Sequence, residues 1–188
     1  MSPSLHTLDG AVVATTARLT IRRWVLADEP ALLRVYGDRE VARWIDDGEP
    51  ITADECERWL EVTARNYDAR GYGMFAIEDR VTGELAGFGG VVHPGGQPQP
   101  EIKYAFSQAY WGRGLATELV AGLLASVGAE QAFPEVVATV APENTASQRV
   151  LEKCGFVFVE QRVDGHGAAE LFYRWRADGS QQLDADPD

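Results

Sequence analysis

The spacing of apolar residues changes several times along the chain, and each change marks an element. Between Arg18 and Trp24, Leu19 and Ile21 alternate with Thr20 and Arg22, the period of two expected of a half-buried strand. Residues 1 to about 16 mix Ser, Pro, Thr and Ala and read as a flexible lead-in. Beyond Asp28, a residue suited to cap a helix, Pro30 falls in the first turn and Ala31, Leu32, Val35 and Tyr36 follow at helical spacing. A shorter amphipathic piece from Arg39 to Ile45 carries Val41, Trp44 and Ile45. Thr52 and Glu55 stand three apart, as in a capping box, ahead of a helix whose Cys56, Trp59, Leu60 and Thr63 lie near one face.

Strand patterns then return at Met74–Ile77 and Glu84–Val92, with the turn Asp79–Gly83 making them a hairpin. His93–Pro100, dense in Pro and Gly, reads as an exposed loop, and Glu101–Phe106 as a strand rich in aromatic and branched residues. A polar break at Ser107 and Gln108 precedes Trp111-Gly112-Arg113-Gly114, after which Leu115, Ala116, Leu119, Val120, Leu123, Leu124 and Val127 keep a helical period. A strand over Glu135–Val140 follows, then a helix from Thr145 to about Cys154, capped by Asn144 and ended by Gly155. Phe156–Arg162 and Ala169–Trp175 predict two more strands around the turn Asp164-Gly165-His166-Gly167. The acidic, Gln-rich tail 177–188 reads as disordered. This irregular alternation predicts one α+β domain over residues 17–176, built on a mixed sheet; a doubly wound fold would need regular alternation.

Composition narrows the function classes. At 188 residues the chain suits one domain with a substantial core, and a net charge of −12 argues against a nucleic-acid groove. Two cysteines imply no disulfide framework, and His6, His93 and His166 show no metal-ligand spacing, so no metal is expected. Neither a membrane span nor a leader pattern is visible, and the chain reads as cytoplasmic.

The run from Glu101 to Gly128 carries candidate chemistry. A strand, a glycine turn and a helix succeed one another there, and the first turn of a helix has N–H groups without partners and partial positive charge. Gly112 and Gly114 allow backbone to approach a ligand closely, which suits a phosphate or pyrophosphate, with Arg113 and Thr117 as added donors. The alternative is a turn that joins strand to helix with no ligand; neither common glycine-rich nucleotide fingerprint is present.

Taken together, Trp111-Gly112-Arg113-Gly114-Leu115-Ala116-Thr117-Glu118, the downstream Asn144-x-x-Ser147 and Leu151-Glu152-Lys153-Cys154-Gly155-Phe156 resemble the GNAT acetyltransferases. The opening RLTIRRWVLADEPAL and the TGELAGFGG hairpin are similar to the branch that includes the RimJ and RimL ribosomal-protein N-terminal acetyltransferases. The resemblance implies a GNAT-like sheet of six to seven strands, splayed between two of them and flanked by about four helices. It implies that the pyrophosphate of acetyl-CoA, a co-substrate, sits on Gly112, Arg113, Gly114, Leu115, Ala116 and Thr117, while its pantetheine arm pairs with the backbone of Tyr104, Ala105 and Phe106. The acceptor amine, of a protein N-terminus or a small molecule, enters from the other side of the splay; a homodimer is compatible with the likeness.

Glu101, on the central strand, is the candidate base, directly or through water, its other reading being a solvent-facing strand residue. Many relatives carry a tyrosine at the position of Leu151, which cannot donate a proton; the likeness points to Ser147 for interaction with the sulfur, though a serine there can simply bond backbone. Asn144 is assigned to the pantetheine amides or to helix capping alone. Trp24, Trp44 and Tyr72 are candidate acceptor contacts, with core packing the alternative for Trp44, as for Trp59. His93 and His166 enter as possible bases on residue type only. The expectation is direct acetyl transfer in a ternary complex; the alternative is a non-catalytic acyl-CoA-binding regulatory module, to which the leucine at 151 leaves room.

Overall fold

The computed structural model describes residues 5–165 and 167–180; His166 and residues 1–4 and 181–188 lie outside the described residues. In chain order the strands are β1 (Val12–Thr15), β2 (Leu19–Arg22), β3 (Met74–Asp79), β4 (Leu85–Val92), β5 (Glu101–Phe106), β6 (Glu135–Val140), β7 (Val157–Val163) and β8 (Ala169–Arg176). The helices are α1 (Glu29–Tyr36), α2 (Arg39–Ala42), α3 (Ala53–Arg70), α4 (Leu115–Leu123) and α5 (Thr145–Lys153), with a π-helical turn, Leu124–Gly128, continuing α4. All eight strands form one sheet in the order β1-β2-β3-β4-β5-β6-β8-β7. Every pairing is antiparallel except that of β5 with β6.

The expected α+β class and splayed mixed sheet are present, with eight strands and five α-helices among the described residues in place of the six to seven and about four anticipated. The additional strand is β1, which pairs with β2 across a bulge inside the stretch expected to be a flexible lead-in. Leu8 ahead of it is buried, so the chain is tied down well before residue 16. At the other end, Ala177, expected to begin a disordered tail, still donates its N–H to the Pro134 carbonyl at 3.0 Å.

Alternate residues of β4 show how the sheet is covered on both faces. Phe88 packs against Tyr36 of α1 and Trp59 of α3, with ring centroids 5.4 and 5.6 Å away. Its neighbour Gly89 lies on the opposite face under Leu119 of α4, whose Cδ2 stands 2.8 Å from where a Cβ on Gly89 would be. The capping box at Thr52 and Glu55 forms as expected and starts α3. Asp28 departs from expectation: its carboxylate does not cap α1 but grips the Arg22 guanidinium at 2.7 and 2.9 Å, Arg22 also meeting Glu78. A half-buried cation on β2 outcompetes the helix end because charge-assisted bidentate bonds are the stronger kind. The amphipathic piece expected over Arg39–Ile45 makes a single helical turn, α2, capped by Asp38.

Candidate active site

At the end of β5 the chain enters the glycine turn. Trp111 Nε1 donates to the Phe106 carbonyl at 2.7 Å, and the Arg113 guanidinium lies over the Tyr110 ring. Gly112 and Gly114 have φ of 71° and 75°, a left-handed backbone that L side chains rarely adopt. Gly114 is the N-cap of α4 and brings no capping side chain, so the N–H groups of Leu115, Ala116 and Thr117 have neither a preceding helical carbonyl nor a cap. Trp111 to Gly114 are exposed, while the Leu115 side chain is buried, leaving Leu115 only its amide to offer. These groups match what an anionic diphosphate needs: aligned donors, partial positive charge and no Cβ in the way.

The turn stands beside a gap in the sheet. β6 pairs with β5 at Glu101↔Val137 alone, where Val137 N–H donates to the Pro100 carbonyl at 2.8 Å. On the other edge, Ser107 N–H donates to the Ala86 carbonyl of β4. Backbone groups alternate sides along a strand, so Ile102, Tyr104 and Phe106 turn theirs to the gap, and Lys103 and Ala105 turn theirs to β4. Of the three residues assigned to a pantetheine, Tyr104 is therefore fully available and Phe106 offers its N–H. Ala105 is a correction: its carbonyl points at Gly87, 2.2 Å from where a Cβ there would stand, because the β4 ladder uses it.

α5 closes one side of the gap. Asn144 Oδ1 accepts from the Ser147 N–H at 3.1 Å, the capping role anticipated as an alternative. Tyr104 Oη donates to the Ser147 carbonyl at 3.5 Å, and burial raises its pKa, so the phenol stays protonated. Leu151 is buried.

Glu101 is 4% exposed, which overturns the solvent-facing alternative. Its Oε1 accepts from Thr139 Oγ1 at 2.7 Å and its Oε2 from Gln97 Nε2 at 3.2 Å, so the carboxylate spans the point where β5 and β6 part. Burial and then the charge of Glu101 raise the pKa of Glu170 on β8. Gln97 belongs to a tethered loop. His93 Nδ1 lies 2.9 Å from the Gln97 carbonyl, which can only accept, so in the neutral ring the proton sits on Nδ1. Nε2 then accepts from Tyr72 Oη at 2.9 Å. Both ring nitrogens are occupied, which removes His93 as a base and makes it an anchor.

The acceptor contacts proposed on residue type divide. Trp24 is fully buried and edge-on to Trp59, 5.5 Å between centroids, so it is core and has no surface for a substrate. Tyr72 is also buried, its hydroxyl on His93 and its ring against Phe133. Trp44 is half-buried with the Arg43 guanidinium 4.4 Å over its ring. Asp46, two residues on, adopts φ 45° and accepts from Tyr36 Oη and Lys103 Nζ, bridging α1 to β5. Sequence reasoning passed over Gln97, Thr139 and Lys103, whose partners are set by how loop and strands meet.

The profile of the Acetyltransferase (GNAT) domain family matches residues 18–157, most of the chain and every element of this site. The chain belongs to the GNAT family of acetyltransferases. It is 34% identical to the Bacillus subtilis (strain 168) protein YkkB over 103 residues, 54% of this chain and 60% of YkkB, somewhat under two thirds of that protein's length. A GNAT-family protein from Bordetella pertussis superposes with a TM-score of 0.76 at 29% identity, covering 89% of this chain and all (100%) of that one. The ribosomal α-N-protein acetyltransferase RimL, solved with coenzyme A, shares the fold at a TM-score of 0.76 and 15% identity, over 90% of this chain and 100% of RimL. Among the described residues no group of His, Cys, Asp or Glu could hold a metal ion, and no helix is long and apolar enough to cross a membrane.

Proposed function

We propose that this enzyme moves an acetyl group from acetyl-CoA directly to a primary amine, both substrates being held in one complex in the cytoplasm. The observation that carries the reading is the parting of β5 from β6 just after Glu101. It leaves the Tyr104 backbone open between a cradle for the diphosphate and a buried carboxylate. Holding donor and acceptor at one gap supplies much of the acceleration. A strand N–H facing the gap, Tyr104 or Phe106, donates to the thioester oxygen as it gains charge. Glu101 takes the amine proton, directly or through water, and Ser147 attends the sulfur as it leaves. The acceptor is a protein N-terminal amine, which a RimJ/RimL-like assignment and the fold shared with RimL favour, or a small-molecule amine.

Acetyl-CoA at a hundredfold excess over its Kd is expected to raise the melting temperature by on the order of 5–10 °C. Gly114→Trp should abolish that shift by filling the cradle, whatever its own starting stability. Equal shifts in the two proteins would remove the site assignment. Thiol release is then measured with peptides of varied N-termini, polyamines and aminoglycosides. Binding without release across that panel would favour the non-catalytic acyl-CoA-binding module instead.

A further inference from the structure

Arg18 stands just ahead of β2 and belongs to no element of the cradle, yet its side chain reaches the glycine turn. Its Nη1 donates to the Arg113 carbonyl at 2.8 Å and its Nε to Glu118 Oε2 at 2.7 Å. Its own backbone N–H donates to Glu118 Oε1 at 2.7 Å, and the Thr16 hydroxyl donates to the same oxygen. Nη2 lies 3.8 Å from where a Cβ on Gly114 would stand. The segment that presents Arg18 is fixed from behind, Arg80 donating from its N–H to the Arg18 carbonyl and from Nη1 to the Thr16 carbonyl.

Peptide planarity turns this contact into an effect on the site. In a trans peptide the carbonyl and the following N–H point in opposite directions, and no cis bond occurs among the described residues. Drawing the Arg113 carbonyl toward β2 therefore sends the Gly114 N–H to the far side of the turn. Arg18 and β2 occupy the near side, so the far side is the one a ligand can enter; at Gly112 an added Cβ would meet nothing within 4 Å. A guanidinium on the carbonyl also polarises that peptide and strengthens its N–H as a donor. As an ion pair, Arg18–Glu118 adds little stability, since the Arg18 side chain is 48% exposed. Its consequence is orientation.

We infer that Arg18 is a positioning residue for the diphosphate of acetyl-CoA: held by Glu118, it fixes the Arg113–Gly114 peptide so that the Gly114 N–H faces the cradle. The inference rests on the acetyl-CoA reading. It is tested by measuring Kd for acetyl-CoA and for S-acetylpantetheine, which lacks the diphosphate, in the natural protein, Arg18→Ala and Arg18→Lys. Arg18→Ala should weaken acetyl-CoA about tenfold, the equivalent of one hydrogen bond to a charged group, and leave S-acetylpantetheine unchanged. Arg18→Lys should recover part of the loss, because one ammonium replaces a fork that bonds two partners. An unchanged Kd for acetyl-CoA, or an equal loss for both donors, would overturn the role of Arg18. A natural protein that does not prefer acetyl-CoA to S-acetylpantetheine would instead overturn the cradle beneath it.

Discussion

In the proposed mechanism Glu101 takes the amine proton, and its surroundings decide how it would work. The carboxylate is buried with two neutral donors, Thr139 and Gln97, while the nearby Lys103 spends its ammonium on Asp46. Two donors on two different oxygens fix the plane of the carboxylate and so aim its remaining lone pairs. Glu101→Gln keeps the shape and removes the base, so turnover should fall on the order of 10²–10⁴-fold while the Kd for acetyl-CoA stays put. Gln97→Ala removes one donor and should cost less, about tenfold in turnover, the scale of one hydrogen bond to a charged group. Steady-state rates beside calorimetric binding separate the two effects. Full turnover in Glu101→Gln would mean that the amine loses its proton to water without this carboxylate.

Elements carry the next constraint, since α4 must lie close to the sheet for its N-terminus to meet the end of β5. Gly89 permits this approach: a Cβ there would stand 2.8 Å from Leu119 Cδ2 and 3.0 Å from Tyr104 Cβ. The leucine methyl can swing aside, but Tyr104 Cβ is fixed to a paired strand. Gly89→Ala is therefore expected to destabilise by about 1–3 kcal/mol, the usual cost of overpacking, and to weaken acetyl-CoA binding by moving Tyr104. Chemical denaturation checks the first effect, and an unchanged midpoint would show that α4 gives way freely. Such spacing was only partly legible in the sequence. Period and caps located β2 to β8, α1, α3, α4 and α5, because each has a buried face or a punctuating Gly, Pro or Asn. β1 escaped, being a four-residue edge strand with Val12 60% exposed, which gives no apolar alternation to read. The glycine turn was visible as strand, turn and helix. The splay beside it came only through the family likeness, since nothing local to Glu101–Phe106 says where β6 stops pairing. The Arg18–Glu118 contact joins residues 100 apart, and a single arginine at the head of a strand looks like any solvent-facing charge.

At the scale of the whole molecule, charge and the cradle pull stability in opposite directions as pH falls. With 17 basic and 29 acidic residues the protein carries −12 at pH 7, and this self-repulsion relaxes as pH approaches the isoelectric point near 4.7. Glu118 responds the other way. Burial pushes its carboxyl upward, but the Thr16 hydroxyl and then the backbone N–H and guanidinium of Arg18 outweigh burial and hold it below the usual value. A group whose pKa is depressed by folding contributes stability that is complete above its unfolded pKa, about 4.3, and is lost as pH falls through the folded value. An acid titration of the natural protein alone mixes the two trends, so the difference from Glu118→Gln is the quantity to follow. Both proteins lose self-repulsion nearly together, whereas only the natural one has a carboxylate at position 118 to protonate. Melting temperatures recorded from pH 7 down to about pH 3.5 should differ by a constant gap above roughly pH 5 and converge below it. A gap that persists unchanged into acid would mean that the ionised carboxylate does not tie β2 to the first turn of α4.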